Sequence, residues 1–225
     1  MIVDNISSIR RRIACACGRS GRDPSAVTLV CVSKYRTPEE IAEAVRAGAA
    51  DIGENRVQEA RMKFPGLAAA SRPRFHLVGH LQTNKAAEAV KIFDLIHSVD
   101  SVRLAREIGI QAQRSGKVQD ILAQVNVSGE KSKYGLTPEG LRDCLMDIDG
   151  TPGVRLCGLM TIAPLTADQE EARPCFKGLA ELLGEVNRTH GKDLRVLSMG
   201  MTNDFEVAVE EGATIVRLGR AVFEG

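Results

Sequence analysis

Tryptophan is missing from this chain of 225 residues, and Phe and Tyr bring the aromatic share to only 4%. The composition therefore gives no sign of an aromatic-rich partner surface. A surplus of one charge is missing too: 30 Lys and Arg stand against 29 Asp and Glu, a formal charge of +1. That balance leaves no electrostatic footprint for a nucleic-acid backbone or an anionic membrane. No stretch approaches the roughly 20 apolar residues of a membrane-spanning helix, so a soluble protein is expected. Metal-binding signatures are also lacking. His76, His80, His97 and His190 are scattered, with no helical H-E-x-x-H, and Cys15, Cys17, Cys31, Cys144, Cys157 and Cys175 show no C-x-x-C spacing. The cysteines are expected as reduced core thiols of a cytoplasmic protein.

What is present begins with MIVDNISSIRRRIACACG, which lacks the order of a signal peptide. Ile2, Ile6, Ile9 and Ile13 recur every three or four residues while Arg10, Arg11 and Arg12 fall largely on the other side. This spacing predicts a helix over residues 1–18, packed on the rest of the protein. Hydrophobic residues make up 44% of the chain, enough for a sizeable core, and residues 1–225 are read as one domain.

After that helix one theme repeats eight times: a short β-branched run, a polar or Gly-containing break, and a segment of helical period. The strand candidates are VTLVCVSK (27–34), ADIGEN (50–55), RFHLVGH (74–80), LIHSVD (95–100), ILAQVNVS (121–128), VRLCGLMTIA (154–163), LRVLSMG (194–200) and TIVRLGRAVF (214–223). Thr37-Pro38-Glu39-Glu40 and Thr137-Pro138-Glu139 each offer a Thr N-cap, Pro at the first helical position and acid in the first turn. Gly48 and Gly212 suit left-handed helix ends. The alternation predicts an α/β protein with a parallel sheet. With no G-x-G-x-x-G loop after the first strand, a single (β/α)8 TIM barrel with an extra N-terminal helix is favoured over an open sheet.

In such a barrel the functional face lies at the carboxyl ends of the strands. Lys34 ends the first strand candidate, where it is either an amine at the barrel mouth available to a carbonyl or a lysine reaching solvent. LSMGMTND and VRLGR place small residues and Gly at the ends of the seventh and eighth strands, the place where many barrels bind phosphate through backbone N–H groups. Ser198 offers a hydroxyl there, Gly200 and Gly219 permit close approach, and Arg220 brings positive charge. His80 is expected to line the pocket or to cap a helix beginning near Gln82.

These motifs resemble the pyridoxal phosphate homeostasis proteins, the YggS or PROSC family. The likeness runs through nearly the whole chain, in VSKYRTPEEI around Lys34, DIGENRVQEA (51–60), FHLVGHLQTNK (75–85), NVSGEKSKYGL (126–136), GLMTIAP (158–164), LSMGMTNDFEVAVEEGAT (197–214) and VRLGRAVF (216–223). The resemblance implies a barrel like the alanine racemase N-terminal domain, with pyridoxal 5′-phosphate held as an imine on Lys34. It further implies Asn55 against the cofactor ring, Ser198 and the backbone at Gly219 and Arg220 around the phosphate, Arg217 facing the pyridine nitrogen, and Met201 among the cofactor-binding residues. Arg220 departs from many relatives, which carry a small hydroxyl residue there. A guanidinium opposite the ring nitrogen cannot accept a hydrogen bond from it, which weakens the ring as an electron sink.

Racemisation needs two acid/base groups on opposite faces. Tyr35 and Tyr134 are the only tyrosines, and on an extended backbone Tyr35 points away from Lys34. The expectation is therefore a monomeric, non-catalytic carrier that buffers pyridoxal 5′-phosphate or delivers it to apo-enzymes, with Lys131 and Lys133 as candidate transfer residues or ordinary solvated lysines. A weak amino-acid racemase is the alternative, and an aldolase or epimerase on the same barrel or a pure interaction protein would be further ones.

Overall fold

The computed structural model describes residues 1–67, 72–130 and 133–224. Lys131 lies outside these residues.

The isoleucine stripe does form a helix, α1 (Ile2–Ser20), and Ile2, Ile6, Ile9 and Ile13 are all buried. Burial of each such side chain is worth about 1.5–3 kcal/mol, so the stripe seats the helix. The helix ends at Gly21 in the left-handed region. Its polar face is tied down as well: Arg10 donates to the Gly48 carbonyl and Arg12 forms a bidentate pair with Glu206.

Eight parallel strands then follow: β1 (Thr28–Val32), β2 (Asp51–Glu54), β3 (Arg74–Leu77), β4 (Leu95–Val99), β5 (Gln119–Gln124), β6 (Val154–Met160), β7 (Val196–Ser198) and β8 (Ile215–Leu218). They pair in chain order, and β8 closes on β1 with Thr28 opposite Ile215, giving a closed (β/α)8 TIM barrel. The intervening helices are α2 (Pro38–Arg46), α3 (Val57–Lys63), α4 (Ala86–Ile92), α5 (Val102–Arg114), α6 (Pro138–Asp149), α7 (Arg173–His190) and α8 (Phe205–Glu210), with α9 (Arg220–Phe223) last. Helix α1 packs against α8 and α9.

The local signals act as the sequence suggests. Thr37 Oγ1 accepts from the Glu40 N–H while Glu40 Oε2 accepts from the Thr37 N–H, and Thr137 Oγ1 accepts from the Gly140 N–H. Gly48 and Gly212 take positive φ.

Four details depart from expectation. Residues 220–223 form the helical turn α9 rather than the end of a strand, since the eighth strand stops at Leu218. Tyr35 is not extended: its φ of 63° turns the chain just past β1, so the alternation that would point it away from Lys34 does not apply. Of the six cysteines, all free, Cys17, Cys31 and Cys175 are buried, Cys144 and Cys157 are half-buried and Cys15 is exposed on α1. His80 is at neither cap position: Gln82 precedes the 3-10 turn Thr83–Lys85, and α4 follows directly at Ala86 with Lys85 at its N-cap position.

Strand residues alternate between two cores. Outward side chains such as Cys31, Ile52, Phe75 and Ile96 join the helices in one apolar shell, and Val30, Val32, Val78, Leu95, Leu122 and Met160 belong to a separate cluster with Ile215. Polar side chains share that inner space, and they build the site.

Candidate functional site

At the carboxyl ends of the strands lies a pocket of about 910 Å³, measured out to open solvent. Its apolar wall is made by Val32, Val78, Ile162 and Met201, and its polar lining by Lys34, Asn55, Thr202, Asn203, Asp204, Arg217, Gly219 and Arg220. Six of the seven residues singled out from the sequence, all but Ser198, therefore meet in one cavity. Neither His80 nor Tyr134 lines it. Instead the two rings stack on each other at 4.0 Å, and His80 Nδ1 lies 3.4 Å from Asp100.

Lys34 sits two residues past the end of β1 and is exposed, its Nζ 5.9 Å from the centre of the Tyr35 ring. The backbone beneath it is clamped. Glu54, fully buried, accepts from Ser33 Oγ (2.8 Å), from Lys63 Nζ (3.0 Å) and from the Asn55 N–H (2.9 Å). Lys63 Nζ also donates to the Ser33 carbonyl and to Glu59. Burial pulls the Lys63 ammonium down, but the hydrogen bonds and charges of Glu59 and Glu54 outweigh it and the net direction is upward. One buried carboxylate thus fixes the residue before Lys34 and the residue after itself, Asn55. At the neighbouring Gly79 an added Cβ would stand 2.2 Å from the Asn55 carbonyl oxygen, so only glycine lets these two backbones pass.

Arg217 is the pocket's buried cation. Its Nη1 donates to Ser198 Oγ (2.7 Å) and its Nη2 to the Thr161 carbonyl (2.9 Å). Burial draws the guanidinium down to about 10, against the attraction of Asp204. It remains charged at neutral pH and acts only as a donor. Asp204 is pushed upward by burial, with opposition from the Met201 N–H that it accepts at 2.6 Å and from Arg217. Gly200, at φ 93°, turns the chain here, and its own carbonyl accepts from the Arg217 N–H.

Ser198 lies a layer lower than expected. It is fully buried, and its hydroxyl is held between Arg217 and His97 rather than presented to the pocket. His97 Nδ1 is 2.8 Å from Ser198 Oγ, His97 Nε2 is 2.9 Å from His76 Nδ1, and His76 Nε2 is 2.8 Å from Asp51 Oδ1. Burial holds the His97 imidazolium well below its usual value, with His76, Arg217 and Arg74 adding to the effect. These residues escape a reading by motif because they are far apart in sequence. The available signal is their placement at inward positions of β2, β3, β4 and β7.

Lys133 is tied at the pocket's flank, its Nζ 2.5 Å from Glu130 and 3.4 Å from the Ile162 carbonyl. Among the described residues no group of three or more His, Cys, Asp or Glu is arranged for a metal, and no helix is long and apolar enough to cross a membrane.

The donor set fits a phosphorylated aromatic aldehyde. It combines an amine, an apolar wall, a buried guanidinium and a helix start at Gly219, whose first N–H groups have no acceptor within the helix.

Comparison with known proteins finds relatives over nearly the whole chain. Residues 5–225 match the family described as alanine racemase, N-terminal domain. A pyridoxal phosphate homeostasis protein of Aquifex aeolicus is 43% identical over 220 residues, 98% of this chain and 96% of that one. A protein of the same name from Pseudomonas aeruginosa is 39% identical over 99% of this chain and 94% of its own. Among solved structures, PipY of Synechococcus elongatus, determined without and with PLP bound, superimposes with a TM-score of 0.88 at 37% identity, covering 99% of this chain and 100% of PipY. An alanine racemase from Clostridium difficile shares the fold alone, at 12% identity and a TM-score of 0.70. The chain therefore belongs to the alanine racemase N-terminal domain family, and within it to the pyridoxal phosphate homeostasis proteins.

Proposed function

We propose that this chain binds pyridoxal 5′-phosphate covalently through Lys34 and serves its homeostasis, buffering the cofactor or delivering it, without turnover of its own. The observation that carries the reading is the single pocket in which an exposed lysine amine, an apolar wall and a buried arginine converge. The names of the Aquifex and Pseudomonas relatives and the PLP bound to PipY support it.

When bound, the cofactor supplies an aldehyde carbon that an amine captures reversibly. The chain's own groups divide the remaining work. Lys34 Nζ is the nucleophile, and its exposure keeps it within reach of an incoming aldehyde and of a competing amine. Asn55, held by Glu54, would lie beside the ring, and Arg217 would offer a donor to the ring nitrogen. Met201, the backbone at Gly219 and Arg220, and Thr202 and Asn203 would hold the phosphate, while Ser198 would act through Arg217. We read residues 1–225 as one domain acting as a monomer, and the six free thiols fit a reducing compartment, the cytoplasm.

A specific observation keeps racemisation as the second reading: the Tyr35 ring lies near Lys34 Nζ. Tyr35 is 78% exposed, however, and an acid/base pair works best in a site shielded from water. Delivery to an apo-enzyme would use Lys133; Lys133→Ala is expected to slow transfer, and unchanged transfer kinetics would remove it from the pathway. The central test is an absorbance spectrum of the protein loaded with pyridoxal 5′-phosphate, followed by L-alanine and chiral analysis. A yellow band without D-alanine supports the carrier. Sustained D-alanine formation makes it an enzyme, and a colourless protein that ignores the cofactor removes the Lys34 assignment.

A further inference from the structure

Five polar side chains of the barrel, Arg217, Ser198, His97, His76 and Asp51, form one continuous line from its carboxyl end to its amino end. Arg217 lines the pocket described above, and Asp51, first residue of β2, lines a second pocket of about 850 Å³ at the opposite mouth, beside Arg10, Pro24 and Ser25. Between them stand Ser198, His97 and His76, all fully buried, with every step between 2.7 and 2.9 Å.

Counting donors and acceptors allows one direction only. The Asp51 carboxylate accepts, so His76 Nε2 carries a hydrogen. His97, whose charged form burial disfavours, carries one hydrogen; placed on Nε2 it is donated to His76 Nδ1, and His97 Nδ1 is left to accept. The Ser198 hydroxyl then donates to His97 Nδ1 and is left to accept from Arg217, which has only donors to offer. Reversing any ring spoils this. If His97 Nδ1 carried the hydrogen, Ser198 Oγ would face two donors, and its own hydrogen would have no acceptor among its hydrogen-bond partners. A buried group left in that state costs about 1–3 kcal/mol. The depressed imidazolium of His97 agrees with a neutral ring.

We propose that Asp51, His76, His97 and Ser198 are positioning residues, a directed hydrogen-bond chain that fixes the Arg217 guanidinium at the pocket floor, so that the state of Asp51 at one mouth of the barrel is felt at the other. The chain reaches the cofactor only through Arg217, and its relevance to binding therefore rests on the proposed pocket reading; its direction does not.

The first test needs no cofactor. Long-range 1H–15N spectra of the labelled protein near neutral pH read the tautomer of each ring, and the expected result is hydrogen on Nε2 alone for both His76 and His97. Hydrogen on Nδ1 of either ring overturns the direction. The second test is Asp51→Leu, checked for fold by circular dichroism. Mixed tautomers, a shifted Arg217 side-chain signal and about tenfold weaker binding of added pyridoxal 5′-phosphate are expected, on the scale of one hydrogen bond. Asp51→Asn, whose amide oxygen can still accept from His76, restores all three. If the Leu variant does not fold, Ser198→Ala cuts the chain next to Arg217: the Arg217 signal should move while both rings keep their Nε2 hydrogens. An Arg217 signal indifferent to these variants in folded protein overturns the coupling. Wild-type protein that fails to bind the cofactor would remove the pocket reading and leave the tautomers and the Arg217 signal to decide the chain.

Discussion

The two sides of the same eight strands are built on different terms. Outward side chains such as Ile52, Ile96 and Leu197 meet the helices in a shell assembled from apolar residues, where contact area decides everything. Inward, the apolar cluster around Val30 and Leu122 is interrupted by His76, His97, Ser198 and Arg217, each of which must find a partner inside the barrel. The shell tolerates any good packing and supplies stability. The interior has few acceptable arrangements, and that restriction lets it hold a cation at a fixed place beneath the pocket. Glu54 is the exception that sharpens the rule: it is a buried carboxylate on the shell side, satisfied by Ser33, Lys63 and Asn55.

If this division is right, damage to the two sides should read out differently. The largest effect is expected from Lys34→Ala, which should abolish the absorbance band of cofactor-loaded protein while changing unfolding free energy by less than about 0.5 kcal/mol, because the side chain is exposed. Phe176→Ala, on the fully buried face of α7, should do the reverse, costing about 3–5 kcal/mol by urea denaturation while cofactor affinity of the folded protein is retained. His97 probes the interior through pH. The folded protein resists protonating this ring and the unfolded chain does not, so its contribution is full above the usual value of 6.5 and falls as pH drops through it. The loss should run at about 1.4 kcal/mol per pH unit until the folded value is reached. Urea midpoints from pH 7 to pH 5 should show it, and His97→Gln should flatten that part of the profile. Thr37→Ala, which removes a cap outside both cores, should cost about 1 kcal/mol and leave cofactor absorbance unaltered.

Much of this was legible in the chain. The eight β-branched runs, the Thr-Pro-Glu helix starts and the isoleucine stripe all respond to local rules, and the structure uses them as written. Lys34, Asn55, Met201, Arg217, Gly219 and Arg220 converge because the barrel brings strand ends together. Extended alternation does not place Tyr35, because it stops with β1 and the chain turns at Tyr35 itself. The line from Asp51 to Ser198 stayed hidden because scattered histidines suggest nothing in one dimension. The alternate, inward positions of β3, β4 and β7 hold His76, His97 and Ser198, three polar residues with no solvent to meet. The position of Ser198 beneath Arg217, rather than beside the pocket, depends on side-chain partners that no motif records.

Gly79, next in the chain to the pocket's Val78, constrains the site in a further way. Because the main chain of Asn55 occupies the space where any side chain at 79 would begin, this part of the wall is frozen against mutation. Variation in what the pocket accepts must instead run through side chains such as Val78 and Ile162. A library randomised at all three positions and selected for altered cofactor preference should return diverse residues at 78 and 162 and glycine alone at 79, so the mutational paths open to this site are set by backbone proximity as well as by chemistry.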